Sequence, residues 1–112
     1  MLDKILELHL NREAKLLQFA AERGFPEAQI KLGEMYLHGH RVEKDIEKAL
    51  WYFREAAEPG HQEAQFALGS IYLHGQDVGK DVDEATYWIG TAAQQGHLGA
   101  LCTVNGGVNL AP

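Results

Sequence analysis

Two windows of the chain carry apolar residues at helical spacing. Ala28, Leu32, Met35 and Tyr36 fall on one face of a helix, and so do Ala64, Leu68, Ile71 and Tyr72, with polar residues between them, as in an amphipathic helix packed on one side. Gly39 and Gly75 follow these stripes and predict where each helix stops, because glycine readily takes the left-handed conformation that closes a helix. A loop containing Val42 or Val78 comes next, then Lys44-Asp45 or Lys80-Asp81. Either aspartate can accept the free amide hydrogens at the start of a second helix. That helix runs through Ala49, Trp51, Tyr52 and Ala56 in one window and through Ala85, Tyr87, Trp88 and Ala92 in the other, toward Gly60 or Gly96. Each window therefore predicts a helical hairpin.

The windows are copies of one unit. Gly24, Gly60 and Gly96 are separated by 60 - 24 = 36 and 96 - 60 = 36 residues, and Ala28, Ala64 and Ala100 keep the same step. Residues 20–55 aligned without a gap on 56–91 share 17 identities in 36 positions, far more than chance produces. Small residues at Ala28, Gly33, Ala49 and Ala56 allow close helix approach, and the aromatic residues of the second helix are expected to fill the space between hairpins. Glycine inside a helix costs about 1 kcal/mol relative to alanine, so Gly33 and Gly69 imply a steric demand for close packing. On the same grounds Trp51 and Trp88 read as core residues rather than as a platform for a ligand.

The pattern A-E-x-G-x-x-E-A-Q-x-x-L-G-x-x-Y-L-H-G-x-x-V-x-K-D, followed by an aromatic helix, resembles the Sel-one-like repeat (SLR) family, relatives of the tetratricopeptide repeats. The resemblance spans residues 20–91, and the 36-residue step suits this family better than the roughly 34 residues of tetratricopeptides. It implies an all-α protein, an α/α superhelix (solenoid) of antiparallel helix hairpins, whose members act mainly as adaptors and scaffolds in protein complexes. The chain divides on this reading into an N-terminal capping helix or half repeat (1–23), two full repeats (24–59 and 60–95) and a truncated repeat with a tail (96–112), within one SLR domain. Leu101-Cys102-Thr103-Val104 loses the Leu-Gly-x-x-Tyr pattern, so the terminal partial units read as caps over the ends of the stack. Residues 105–112 read as an unordered tail or a foreign remnant.

Composition narrows the function. At 112 residues the chain has room for one modest core and no separate catalytic domain. A formal net charge of -6 disfavours nucleic acid and anionic membrane surfaces and favours basic or neutral partners. Cys102 is the single cysteine, so the disulfide framework of small secreted domains is missing and a cytoplasmic location is expected. The first residues are broken by charges, unlike a signal peptide, and no stretch reaches the roughly 18 apolar residues of a membrane helix.

A binding surface follows from the resemblance, by matching the Leu-Gly-x-x-Tyr positions to the related tetratricopeptide pattern. It implies a concave surface formed by Glu27, Ile30, Glu34, Leu37 and His38 of one hairpin beside Glu63, Phe66, Ser70, Leu73 and His74 of the next. The mixture of apolar Ile30, Phe66 and Leu73 with acidic Glu27, Glu34 and Glu63 suits a basic or amphipathic peptide or protein segment. The same positions also serve as ordinary solvated faces or contacts between repeats. No metal or cofactor site is assigned. His38 and His74 share one repeat position, His40 stands alone beside them, and no Cys-x-x-Cys or His-Glu-x-x-His motif is present. The stretch Gly75-Gln76-Asp77-Val78-Gly79-Lys80-Asp81 has three residues, not four, between its glycines and an aspartate where Ser or Thr would bind magnesium, so it reads as an interhelical loop. The expected function is a non-enzymatic adaptor or scaffold. Two alternatives stand behind it. One is a β-lactamase-like hydrolase of the cysteine-rich SLR type, disfavoured by the lone cysteine and the lack of Ser-x-x-Lys. The other is a structural module that dimerises through its stack ends.

Overall fold

Single residues decide where the helices begin and end. In a computed structural model that describes residues 2–75 and 78–104, with side chains from residue 12 onward, the described elements are α1 (Leu2–Glu22), α2 (Pro26–His38), α3 (Ile46–Ala57), α4 (Gln62–His74), α5 (Val82–Gln94) and α6 (Leu98–Cys102), with no strand among the described residues. Pro26 occupies the first turn of α2, where its missing N–H leaves no hydrogen bond unmade. Gly39 and Gly75 close α2 and α4 at φ 67° and 62°, their amides donating to the carbonyls of Met35 and Ile71. The chain then folds straight back, since the amides of Asp45 and Asp81 donate to the carbonyls of Tyr36 and Tyr72 at 2.9 and 3.0 Å. Oδ1 of Asp45 accepts from the Lys48 amide and Oδ1 of Asp81 from the Glu84 amide, each at 3.1 Å. Both aspartates thus cap their helices as the sequence predicts.

The chain forms two compact units, residues 1–56 and 57–112. In the first, α1 packs on α2, and Leu32 and Phe53 are fully buried with Ala49 and Ala56. In the second, Ala85, Ile89, Ala92 and Ala100 form the core, with Phe66, Tyr72, Leu73, Ala93 and Val104 packed against it. The glycines explain the closeness of the helices. A Cβ on Gly33 would stand 3.0 Å from the Phe53 ring, and one on Gly69 would stand 2.5 Å from Ile89 Cγ1 and 3.0 Å from the Ile89 backbone nitrogen.

The two tryptophans differ, and Trp51 departs from its expected core role. Trp88 is 6% exposed and its indole N–H donates to Glu84 Oε2 at 3.0 Å, whereas Trp51 is 55% exposed. The repeat alignment gives the reason. Trp51 is equivalent to Tyr87, which is 62% exposed, and the buried stripe passes on either side of that position. It is Ala49, Phe53 and Ala56 in one repeat and Ala85, Ile89 and Ala92 in the other, at i, i+4 and i+7.

Two buried polar residues complete the scaffold. Gln29 donates its side-chain N–H to the Ala21 carbonyl at 3.2 Å, and Gln65 does the same to the Ala57 carbonyl at 3.1 Å. Those carbonyls, at the ends of α1 and α3, also accept the amides of Gly24 and Gly60. Helix-terminal carbonyls lack intrahelical donors, so the conserved step of the Glu-Ala-Gln triplet through the repeat has a definite purpose. Gln65 is itself held by Gln95, whose Nε2 donates to Gln65 Oε1 at 2.6 Å.

The glycine contacts separate two substitutions. Gly69→Ala meets backbone atoms that cannot move aside, and the clash, about 1–3 kcal/mol, outweighs the roughly 1 kcal/mol that alanine contributes to helix propensity. Gly33→Ala meets only a ring that can swing. Urea denaturation is expected to show a loss at Gly69 and a change within about 1 kcal/mol at Gly33. A second prediction concerns alkaline pH. Tyr52 stacks on Tyr36 at 5.9 Å, and its hydroxyl titrates above the ordinary tyrosine value because burial, then the neighbouring Tyr36 and Glu22, disfavour the anion. The raised value means that its stabilising contribution is complete below about pH 10 and is lost as pH rises through the folded-state pKa. Tyr52→Phe should flatten the alkaline fall in melting temperature.

Candidate interaction surface

The residues expected to face a partner on α2 lie beside its buried stripe. Glu27, Glu34 and His38 are exposed, and Ile30 and Leu37 are half-buried. Glu34 and His38 stand one turn apart and line a surface cavity of about 300 Å³ with Lys31, Met35 and His40. His40 is brought there by the turn that ends α2, where its amide donates to the Met35 carbonyl at 2.9 Å. The following residue, Arg41, takes a left-handed φ of 69° and its guanidinium reaches the Glu13 carboxylate of α1. Lys31 and His40 are not among the partner-surface residues that the sequence suggests, His40 being weighed there only as a metal ligand. Lys31 had a legible signal, one turn before Glu34, whereas His40 joins only because the chain turns back.

The equivalent residues of α4 face α6. Glu63 is exposed, but its Oε1 lies 2.6 Å from His97 Nε2. His97 precedes α6, and its Nδ1 accepts the Ala100 amide at 3.1 Å. That acceptance assigns the proton to Nε2, which donates to the Glu63 carboxylate. Phe66 stacks on the same imidazole with ring centroids 4.7 Å apart. Phe66 and Leu73 also pack against the core of their unit. Ser70 is half-buried and His74 exposed. Thus Glu63 and Phe66 are engaged in holding α6, a role invisible in the sequence because it depends on a residue 34 positions beyond Glu63.

Other candidates resolve as follows. Among the described residues no group of three or more His, Cys, Asp or Glu side chains could hold a metal ion. No described helix is long and apolar enough to cross a membrane. Cys102 is an exposed thiol. In the loop compared with a phosphate-binding motif, Gln76 and Asp77 lie outside the described residues, as does the tail 105–112. The N-terminal segment is one continuous helix, α1.

Paired helices repeated with the same turn, cap and glycine contact define a helical-repeat protein of the SLR class. The chain belongs to the Sel1 repeat family, with Sel1 repeats matched at residues 26–61 and 62–97. Those repeats begin at the first residues of α2 and α4, two residues beyond the glycine-based divisions. Among solved structures the chain is similar to a protective antigen present in uropathogenic Escherichia coli strains and displaying an SLR fold. That match has 34% identity and a TM-score of 0.75, over 83% of this chain and 21% of that one. It is also similar to a Sel1 repeat protein from Oxalobacter formigenes, with 35% identity and a TM-score of 0.71, over 80% of this chain and 67% of that one. The chain therefore spans about a fifth of the length of the first of these. No curated protein matches it.

The His97 contacts make a prediction. His97→Ala removes the cap of α6 and the partner of Phe66, which should lower stability by about 1 kcal/mol. Hydrogen exchange at the Ala100 amide is expected to accelerate, with a smaller effect from Glu63→Gln, which leaves the cap intact.

Proposed function

We propose that the chain is a non-catalytic scaffold that holds a basic or amphipathic segment of another protein on the exposed side of α2. Sel1 repeats are commonly protein-interaction modules, and their fold is typically a non-catalytic helical scaffold. The observation that carries the reading to this surface is the cavity beside Glu34 and His38, which brings a carboxylate, two imidazoles and the Lys31 ammonium around the apolar Met35. Such a recess accepts an apolar side chain while Glu34 meets a cation alongside it. In this reading Ile30 and Leu37 supply the apolar flank. The α4 surface contributes less, because it carries Ala67 and Ser70 where α2 carries Lys31 and Glu34. A reducing compartment such as the cytoplasm suits the exposed Cys102 thiol.

Affinity capture followed by mass spectrometry tests this with Glu34→Lys and His38→Glu. Both positions are exposed, so each variant should keep its stability to within about 0.5 kcal/mol while losing the partners held by the wild type. An unchanged set of partners would overturn the α2 surface as the binding face.

A further inference from the structure

The second helices expose an aromatic ring at the same repeat position. Trp51 on α3 is 55% exposed and Tyr87 on α5 is 62% exposed, although Phe53 and Ile89, two residues further along, are fully buried. Each exposed ring is propped nearly at a right angle on its chain neighbour. Trp51 meets Tyr52 at 5.0 Å and Tyr87 meets Trp88 at 4.9 Å, with interplanar angles of 78° and 81°. An indole left half in water contributes less to folding than a fully buried one.

The charges around Trp51 are unbalanced. Glu47 and Glu55 lie one turn before and one turn after it, on the same side of α3, and both are exposed. Among the described residues neither carboxylate has a hydrogen bond or ion pair. The two nearby cations are occupied elsewhere. The Lys48 ammonium lies 5.1 Å over the Tyr36 ring, and Arg54 is half-buried and has partners of its own. The uncompensated charge flanking the indole is thus negative, on a chain whose net charge is -6.

We propose that Glu47, Trp51 and Glu55 form a second docking surface, independent of the α2 reading, for an arginine- or lysine-bearing segment of a partner protein. The cation sits on the indole face, since tryptophan is the strongest aromatic acceptor for a cation, and the carboxylates pair with the same group or its neighbours. The two carboxylates are eight residues apart along α3, about 12 Å, a span that matches cations two turns apart on a partner helix. The second repeat keeps only half of this arrangement, with Asp83 before Tyr87 but Thr91 after it, the threonine hydroxyl donating to the Tyr87 carbonyl at 2.6 Å. Tyr87 is accordingly the weaker position.

The probe is an acetylated alanine-based helical peptide with arginine at every fourth position, beside a glutamate counterpart. Two-dimensional NMR separates the indole N–H signals of Trp51 and Trp88. The Trp51 signal should move saturably with the arginine peptide alone, and the Trp88 signal should stay. Trp51→Ala, which leaves net charge unchanged, should weaken binding about fivefold to tenfold. Glu55→Gln should weaken it more than Glu43→Gln, a loop control of equal charge, and His38→Ala on the α2 surface should leave the Trp51 shift in place. Three results would each overturn the proposal: wild-type affinity in Trp51→Ala, no shift of Trp51, or a Trp51 shift produced by raising the protein concentration alone, which would make the occupant a second copy of the chain.

Discussion

Within each hairpin the second helix approaches the first through a glycine. At Gly33 the space a Cβ would fill belongs to the Phe53 ring, and at Gly69 it belongs to Ile89, side chain and backbone together. This contact sets the distance between helices, and the rest of the arrangement follows from it. With the helices this close, the buried stripe of the second helix can be alanine at two of its three positions, because little volume is left to fill. The large residue falls at the glycine, and the positions two residues before it, Trp51 and Tyr87, turn outward.

Close packing also removes water from helix ends, and the buried glutamines answer that. A carbonyl at a helix terminus has no partner along its own helix. The Gln29 and Gln65 side-chain amides donate to those at Ala21 and Ala57, alongside the backbone amides of Gly24 and Gly60. In the second unit Gln95 extends this arrangement by bonding to Gln65. Beyond it the pattern changes, and His97 takes over, capping α6 with one ring nitrogen and holding Glu63 with the other.

The same internal demands shape the exposed side of the first helices. On α4, Glu63 and Phe66 contact His97. On α2, Glu34 and His38 face a cavity with Lys31 and His40, and two of these have no counterpart on α4, where Ala67 and Ser70 stand at the positions of Lys31 and Glu34.

The sequence by itself determined the helices, their caps and the repeat, because these depend on residues within a few positions of one another. Gly39 and Gly75, Asp45 and Asp81, and the 36-residue step are all legible in that way. It also pointed to a steric role for Gly33 and Gly69. Tertiary structure alone decided which aromatic is buried, since Trp51, Tyr52 and Phe53 are adjacent and differ only in the face they occupy once α3 meets α2. It likewise decided that Gln29 and Gln65 are buried, that His40 closes a cavity with Glu34, and that His97 engages Glu63. Local propensity fixes where a helix starts and stops, whereas the direction a side chain faces depends on what packs against it, and that comes from residues far away in the chain.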